Sequence, residues 1–169
     1  MKTRHGDPLA EPDRLIRRIY AYVAYIVGES ADATEITCAA IERAVRHRAS
    51  YNPKRESPLA WVFGITRFCV ADRFREPFAT TGDELRSLPE RELPEGVDEA
   101  SIRAAVARLG PRDRELIAMR YGAELTPREI GEQLGLRVSA VEVALQRAHG
   151  RIRSVLVPEP DRRLLGDRS

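Results

Sequence analysis

The chain has 169 residues, of which 43% are hydrophobic and 32% charged, with a formal net charge of +2. This length suits one large domain or two small ones, and no apolar run approaches the length of a transmembrane helix. The two cysteines and three histidines lack metal-ligand spacing, so we expect no metal site and no cofactor. The first dozen residues lack the apolar core of a signal peptide, which favours a cytoplasmic protein.

Charge is unevenly distributed along the chain. Residues 1–76 carry thirteen basic and ten acidic side chains, residues 77–100 carry two and seven, and residues 101–169 carry thirteen and nine. Nearly every basic residue is arginine, whose planar guanidinium suits phosphate and base-edge contacts better than the lysine ammonium does. A solvated, arginine-rich surface would have the same composition, so the charge pattern permits nucleic-acid binding without requiring it.

Two helices are predicted in the first fifty residues. The first begins near Asp13 and ends at Gly28, and the second begins near Ser30 or Asp32 and runs to about His47. The apolar side chains that share a face of the first helix are Leu15, Ile16, Ile19, Tyr20, Val23 and Val27. Those expected to turn inward on the second helix are Ile36, Ala40, Ile41, Ala44 and Val45.

A third helix follows a loop at residues 51–58, through which Pro53 and Pro58 prevent helix formation. It is predicted from Pro58 or Leu59 to about Arg75, and it interleaves aromatic residues with arginines. One interpretation is a buried helix with a solvated arginine edge. The other is an exposed surface on which unpaired bases stack.

Residues 77–100 are acidic and contain prolines and glycines, which predicts a linker. Two further helices are expected after it, at 101–109 and at 111–121, with Gly122 ending the second.

The segment 125–156 has the pattern of a helix-turn-helix. Thr126 and Glu129 can form a capping box around Pro127, and Gly135 falls where a left-handed residue would end the first helix. A second capping box is predicted between Ser139 and Glu142. A short helix, a tight turn and a longer helix favour insertion of the second helix into a DNA major groove.

The order of these features resembles the ECF (extracytoplasmic function) sigma factors of bacterial RNA polymerase. In the first half, the matching residues are Asp32-Ala33, Arg43-Ala44, Pro58, Trp61, Ile65, Arg67, Asp72 and Arg75. In the second half, they are Leu109, Arg114, Glu115, Arg120-Tyr121, the run PREIGEQLGL at 127–136, Val141, Leu145, Arg147-Ala148 and Arg151. The resemblance implies an all-α fold of two small helical domains joined by a flexible acidic linker, with a helix-turn-helix in the C-terminal domain.

The resemblance also implies a division of labour. Residues 13–76 would form the sigma region 2 domain, residues 77–100 the linker, and residues 101–157 the region 4 domain. The residues expected to bind core RNA polymerase are Asp32, Glu35, Glu42 and Arg43. Those expected to bind the promoter −10 element are Lys54, Arg55, Trp61, Arg67, Phe68 and Arg75. Those expected at the −35 element are Thr126, Arg128, Ser139, Ala140, Val143, Ala144, Gln146, Arg147 and Arg151.

Three departures from the family pattern bear on these assignments. Cys38-Ala39 replaces a frequent glutamine-glutamate pair, so polymerase docking would use other groups such as Glu35 and Glu42. Phe68 replaces a frequent asparagine and can stack on a base without hydrogen bonding to it. The recognition helix has lost two basic positions, so base readout would fall mainly on Gln146 and Arg147.

Other functions fit less of the sequence. A degenerate sigma-like adaptor, which binds polymerase or a regulatory protein without directing initiation, would explain the altered recognition helix. A stand-alone DNA-binding regulator would leave the aromatic and arginine-rich third helix unexplained. The sequence predicts no enzyme, because it has no catalytic constellation around histidine or cysteine and no glycine-rich phosphate loop. The resemblance finally implies an anti-sigma partner and promoter DNA as a ligand, without membrane insertion.

Overall fold

The computed structural model describes residues 7–74 and 98–157. Its α-helices are α1 (Pro12–Val27), α2 (Ala31–Arg46), α3 (Pro58–Phe74), α4 (Glu99–Ala107), α5 (Pro111–Ile117), α6 (Pro127–Leu134) and α7 (Val138–Leu156). A 3-10 helix (Arg48–Ser50) follows α2, and a π-helical turn (Ala118–Gly122) continues α5. The predicted all-α fold is confirmed, and most of the predicted linker lies outside the described residues. Within the two described ranges, no helix has both the length and the apolar character needed to cross a membrane.

The N-terminal half (residues 7–74) contains the three predicted helices. Gly28, with φ of +84°, ends α1 as expected, because glycine adopts this conformation without strain. Two predictions about burial were wrong: Ile16 is 39% exposed and Val45 is 57% exposed. In α1 the buried stripe is centred on Ile19 and Tyr22, which places Ile16 at its edge.

In the C-terminal half (residues 98–157), the first two helices differ from their predicted bounds. Asp98 caps α4 by accepting a hydrogen bond from the Ser101 amide, so α4 begins within the predicted linker. The helix predicted at 111–121 instead widens into the π-helical turn, in which the Ala123 amide donates to the Ala118 carbonyl.

The helix-turn-helix is present, with one of its two predicted capping boxes. The Thr126 hydroxyl accepts a hydrogen bond from the Glu129 amide, and the Glu129 carboxylate accepts one from the Thr126 amide. Gly135 has φ of +67° and ends α6 as predicted. The second box was predicted wrongly: α7 begins at Val138, which places Ser139 inside its first turn, and no side chain caps it.

The two halves share one hydrophobic core. Helix α1 packs on α2 and α3 of its own half and also on α4, α5 and the π-helical turn of the other. Gly122 permits the closest approach, because a Cβ atom there would lie 2.7 Å from the Tyr22 amide nitrogen. Arg18 closes the same contact by donating hydrogen bonds to the Ala123 carbonyl (2.6 Å) and the Glu124 carbonyl (3.0 Å).

Candidate nucleic-acid interface

Helix α3 carries most of the side chains predicted to contact the −10 element. Its buried side contains Ala60, Val62, Phe63, Thr66 and Val70, which pack in the shared core. The buried-helix interpretation therefore holds for this side, and stacking of unpaired bases on the other side stays a prediction. One side of α3 is core, and the other presents Phe68, whose ring is 53% exposed.

Phe68 lies beneath a guanidinium group. The central carbon of the Arg43 guanidinium lies 4.5 Å from the centroid of the Phe68 ring, a cation–π geometry. Arg43 belongs to α2 and was predicted to contact polymerase. It lies over Phe68, a predicted −10 residue, where its positive charge and the exposed ring form one surface, and its contact with polymerase stays a prediction.

Arg67 points away from this surface and crosses to the C-terminal half. Its Nε donates to Glu115 Oε1 over 2.7 Å, and its Nη1 donates to the Gln133 carbonyl over 3.1 Å. The Glu115 side chain is only 6% exposed and that of Arg67 is 23% exposed. Burial, together with the nearby negative charge of Glu115, raises the pKa of Tyr22 well above its ordinary value.

The loop before α3 is exposed. Lys54 and Arg55 both lie at the surface, where their charges can reach a phosphate backbone. Trp61 is partly buried, and its ring centroid lies 5.5 Å from that of Tyr51. Arg75 falls outside the described residues.

The exposed side of α2 carries the predicted polymerase contacts. Glu35 and Glu42 are exposed, and so are Cys38 and Ala39, which occupy the altered positions. Asp32 is engaged elsewhere, because its carboxylate accepts a hydrogen bond of 2.8 Å from Arg73 on α3. The Asp32 side chain is still 46% exposed, so all three acidic residues remain at the surface.

In α6, the residues predicted to contact phosphate are exposed. Thr126 lies at its N-terminus, and Arg128 pairs with Glu132 one turn later at 3.1 Å. Such an exposed pair is readily exchanged for a phosphate contact because it contributes little stability.

Helix α7 exposes fewer of its predicted DNA contacts. Ser139 is exposed at its first turn, whereas the middle of the predicted groove-facing surface is partly buried. These partly buried residues are Ala140, Val143, Ala144, Gln146 and Arg147. Arg151 is exposed but forms an ion pair with Asp113 of α5. Ser139 and Arg151 are therefore the exposed members of this set, and the other five are partly exposed.

Several contacts at this interface were not predicted. From the sequence, Glu115 is only a position that matches the family, and Gln133 and Arg18 were not predicted as functional residues. Gln133 Nε2 donates to the Ala60 carbonyl of α3 over 3.1 Å. No sequence signal set Glu115 apart, because it directly follows the charged residues Arg112, Asp113 and Arg114. Within the described residues, no group of three histidine, cysteine or acidic side chains is placed to hold a metal ion.

Comparison with known families separates the same two halves. Residues 13–76 match the family described as sigma-70 region 2, and residues 99–151 match sigma-70 region 4. Together the two matches cover more than half of the chain.

Two curated relatives carry the same architecture. The ECF RNA polymerase sigma factor BldN of Streptomyces coelicolor is 28% identical over 145 residues, which are 80% of this chain and 55% of that protein. The ECF RNA polymerase sigma factor ShbA of Streptomyces griseus is 35% identical over 108 residues, 57% of this chain and 56% of that protein. The chain thus spans about half the length of these relatives.

Two solved structures share the fold. The sigma factor RpoE from Bartonella quintana, in complex with the anti-sigma factor NepR, superposes with a TM-score of 0.65 at 14% identity, covering 86% of this chain and 94% of that one. The PhyRSL-NepR complex from Sphingomonas sp. Fr1 gives a TM-score of 0.54 at 20% identity, covering 90% and 92%. With both sigma-70 regions present in order, the chain belongs to the sigma-70 family of RNA polymerase sigma factors, in which its curated relatives are of the ECF type.

Proposed function

We propose that this protein directs transcription initiation as an ECF sigma factor, by binding core RNA polymerase and the −10 and −35 elements of a promoter. Residues 13–76 would act as region 2, residues 77–100 as the linker and residues 101–157 as region 4. The observation that carries the proposal is the pairing, in one chain, of a helix-turn-helix with an exposed surface formed by Phe68 of α3 and Arg43 of α2. The protein would work in the cytoplasm, where it would meet core polymerase.

The exposed side of α2 is the proposed polymerase surface. Glu35 and Glu42 supply charge there, and Val45 adds an apolar contact, since more than half of its side chain is exposed. This combination suits a protein interface, in which an apolar centre is surrounded by charged groups. These contacts would compensate for the glutamine-glutamate pair that Cys38-Ala39 replaces.

Phe68 and Arg43 are the proposed capture site for an unpaired −10 base. A base stacked on an aromatic ring gains about 1–3 kcal/mol, and every base has a π-face to offer. Phe68 has no group that could read the base edge, so the site would hold the base without strong preference. Lys54, Arg55 and Trp61 would flank this site, and Arg67 would join it once released from Glu115.

At the −35 element, α7 would enter the major groove while Thr126 and Arg128 contact phosphates. In the major groove, alanine and valine side chains can contact only the methyl group of thymine, so base readout would depend on Gln146 and Arg147. The −35 interaction would therefore be weak or based on DNA shape, and it would rely on the −10 contacts.

Transcription in vitro tests the proposal. The full chain is mixed with bacterial core RNA polymerase and a library of genomic fragments, and new 5′ ends are mapped. New start sites that share upstream elements support the proposal. Association with core polymerase without new start sites would instead indicate the adaptor. Absence of association would refute the sigma-factor function and leave only an adaptor that binds a regulatory protein.

Once the −35 element has been mapped, a DNA-binding assay tests the recognition helix. Arg147→Ala should weaken binding to the mapped −35 duplex more than Gln146→Ala, because a bidentate arginine–guanine contact is worth about 1–3 kcal/mol. Binding is measured at matched salt, since phosphate contacts alone make affinity depend on ionic strength. Equal affinity of Arg147→Ala and the parent would show that α7 uses another surface.

We further propose an anti-sigma partner that holds the chain inactive. The support is the fold shared with two structures whose complexes contain NepR. Co-purification of the full chain from its host, followed by identification of bound proteins, tests this.

A further inference from the structure

One side of α7 carries a cluster of basic groups around His149. The imidazole Nε2 lies 2.7 Å from the hydroxyl of Tyr121 in the π-helical turn, and the two ring centroids lie 5.5 Å apart. Burial lowers the pKa of His149, and the positive charges of Arg153 on α7 and Arg120 in the π-helical turn lower it further. Tyr121 is 50% exposed, so a ligand in solution can reach this basic cluster of four residues.

The acidic side chains of the helices that pack on α7 are engaged elsewhere. Those of α5 and α6 all have other partners, and on α4 the charge of Arg103 is paired as well. The pairs are Asp113–Arg151, Glu115–Arg67, Glu129–Thr126, Glu132–Arg128 and Glu29–Arg103. The one acidic residue of α7, Glu142, precedes His149 by about two turns. The basic cluster therefore has no carboxylate of its own within the described helices α5 to α7.

The arginines of the basic cluster keep donors that an anion could use. Arg153 Nε is buried and has no hydrogen-bond partner among the residues that the structure describes. Arg120 Nη1 donates to the Leu125 carbonyl over 3.1 Å, and since a guanidinium has five N–H donors, one such contact leaves others for a ligand. Like charges held close together repel, and an anion bound between them would offset that repulsion.

The basic cluster continues the side of α7 that carries a proposed base contact. Gln146, His149 and Arg153 are spaced by three and four residues, so they follow one another along one side of the helix. With a rise of about 1.5 Å per residue, Arg153 lies about 10 Å farther along the axis than Gln146. The major groove is about 12 Å wide, so a side chain at that distance from a base contact reaches the phosphates at the edge of the groove.

We infer that Arg120, Tyr121, His149 and Arg153 form a site for a phosphate group of the DNA backbone beside the −35 element, and that His149 takes up a proton when the phosphate binds. The inference rests on the proposed function, in which α7 enters the major groove. In the charged imidazole both ring nitrogens donate, so Nε2 donates to the Tyr121 hydroxyl. That hydroxyl can then donate its own proton to a phosphate oxygen.

This site makes DNA binding depend on pH. The bound phosphate offsets the repulsion between the arginines and the charged imidazole, so binding raises the pKa of His149. Affinity should then increase as the pH falls below the pKa of the DNA-bound protein, and level off below the pKa of the free protein. Each unit by which binding raises a pKa strengthens binding tenfold, and we expect a gain of about three- to tenfold from about pH 7.5 to about pH 5.5.

Binding of the full chain to two DNA duplexes tests the inference. One duplex contains the mapped −35 element and the other has an unrelated sequence, because phosphate contacts do not depend on sequence. His149→Gln should remove most of the gain at low pH. His47→Gln is the matched control, since His47 is exposed and lies in the other half, and this variant should keep the gain of the parent.

The salt dependence of the same binding tests Arg153. Arg153→Gln should lower the slope of log affinity against log salt concentration by about 0.9, the value for one phosphate contact. Arg108→Gln removes an exposed arginine of the same half that lies outside the basic cluster, and its slope should equal that of the parent. An unchanged slope in Arg153→Gln would remove this arginine from the site.

An NMR titration of the His149 ring proton in the parent chain measures the proton uptake directly, so the test does not require any variant to fold. The pKa should rise when the duplex is added. An unchanged or lower pKa in the DNA-bound protein would overturn the inference. A rise of equal size with inorganic phosphate at the same ionic strength would assign the site to free anions and overturn its assignment to DNA.

Failure of the proposed function is distinguishable from failure of the inference. A chain that yields no new start sites with core polymerase, yet binds the unrelated duplex with a raised pKa of His149, would refute the proposed function and keep the phosphate site. New start sites, together with DNA binding that His149→Gln leaves equally dependent on pH, would refute the phosphate site alone.

Discussion

The two helices proposed to bind DNA differ in what surrounds them. Helix α3 packs on α1 and α2 of its own half and on α6 of the other, whereas α7 packs on α4, α5 and α6, all in its own half. Their arginines follow the same division, because Arg67 pairs across the halves and Arg151 pairs within one. Whether α3 can reach DNA therefore depends on how the two halves are arranged. Whether α7 can do so depends on the helices of its own half, on which it packs.

The largest expected effect comes from disturbing the contact between α1 and the π-helical turn, which joins the two halves. In Gly122→Ala, the new Cβ atom would lie 2.7 Å from the backbone nitrogen of Tyr22, so α1 and the π-helical turn must move apart. We expect the free energy of unfolding to fall by about 1–3 kcal/mol, as overpacking usually causes. Thermal unfolding measures the loss, and hydrogen exchange should rise in α3 more than in α7.

Gly110→Ala is the control for this substitution. Gly110 has an ordinary φ of −61°, and no atom lies within 4 Å of its ideal Cβ position. It should therefore unfold at nearly the temperature of the parent. A Gly122→Ala variant as stable as Gly110→Ala would contradict the close packing of the two halves.

Structure that depends on residues close together in the sequence was predicted correctly, whereas contacts between distant residues were not predicted. The Thr126–Glu129 capping box and the turn at Gly135 depend on residues a few positions apart, and both are confirmed. The pairing of Arg67 with Glu115 joins residues 48 positions apart in different halves. No periodicity or spacing encodes that pairing, because it depends on how α1 docks on the π-helical turn.

The same limit explains one error and one unforeseen contact at the surface. Val45 fits the apolar period of α2, yet the buried stripe of that helix follows Ala33, Ile36, Ala40 and Ala44, in which the three alanines allow close packing. Arg43 shares the helix of the polymerase contacts in the sequence, but only the three-dimensional packing of α2 on α3 brings it over Phe68.

A smaller effect on stability is expected in the helix-turn-helix, where the first turns of α6 and α7 can be compared. Thr126→Ala removes the hydroxyl that caps α6, and loss of such a cap costs about 1 kcal/mol of unfolding free energy. Ser139→Ala is the matched variant, because Ser139 lies inside the first turn of α7 and makes no capping hydrogen bond. Chemical denaturation should find Thr126→Ala clearly the less stable of the two. Equal losses of unfolding free energy in the two variants would support the second capping box, between Ser139 and Glu142, that the sequence predicted.

The smallest effect is a pH dependence confined to the C-terminal half. His149 lies on α7, and its Nε2 shares a hydrogen bond of 2.7 Å with the Tyr121 hydroxyl. Burial lowers the pKa of His149 below its ordinary 6.5, and the positive charges of Arg153 and Arg120 lower it further. The unfolded chain then takes up the proton before the folded one. Stability contributed by neutral His149 is complete above pH 6.5 and is lost as the pH falls below it.

His149→Gln should therefore flatten the dependence of unfolding free energy on pH below 6.5. Tyr121→Phe distinguishes burial of His149 from its hydrogen bond, because it removes the hydroxyl and leaves the ring in place. If burial dominates, most of the slope of unfolding free energy against pH should persist in this variant. Loss of the whole slope in Tyr121→Phe would assign the effect to the hydrogen bond instead. In both variants α3 should exchange as in the parent, because His149 and Tyr121 lie in the half that supports α7, away from the Arg67 contact.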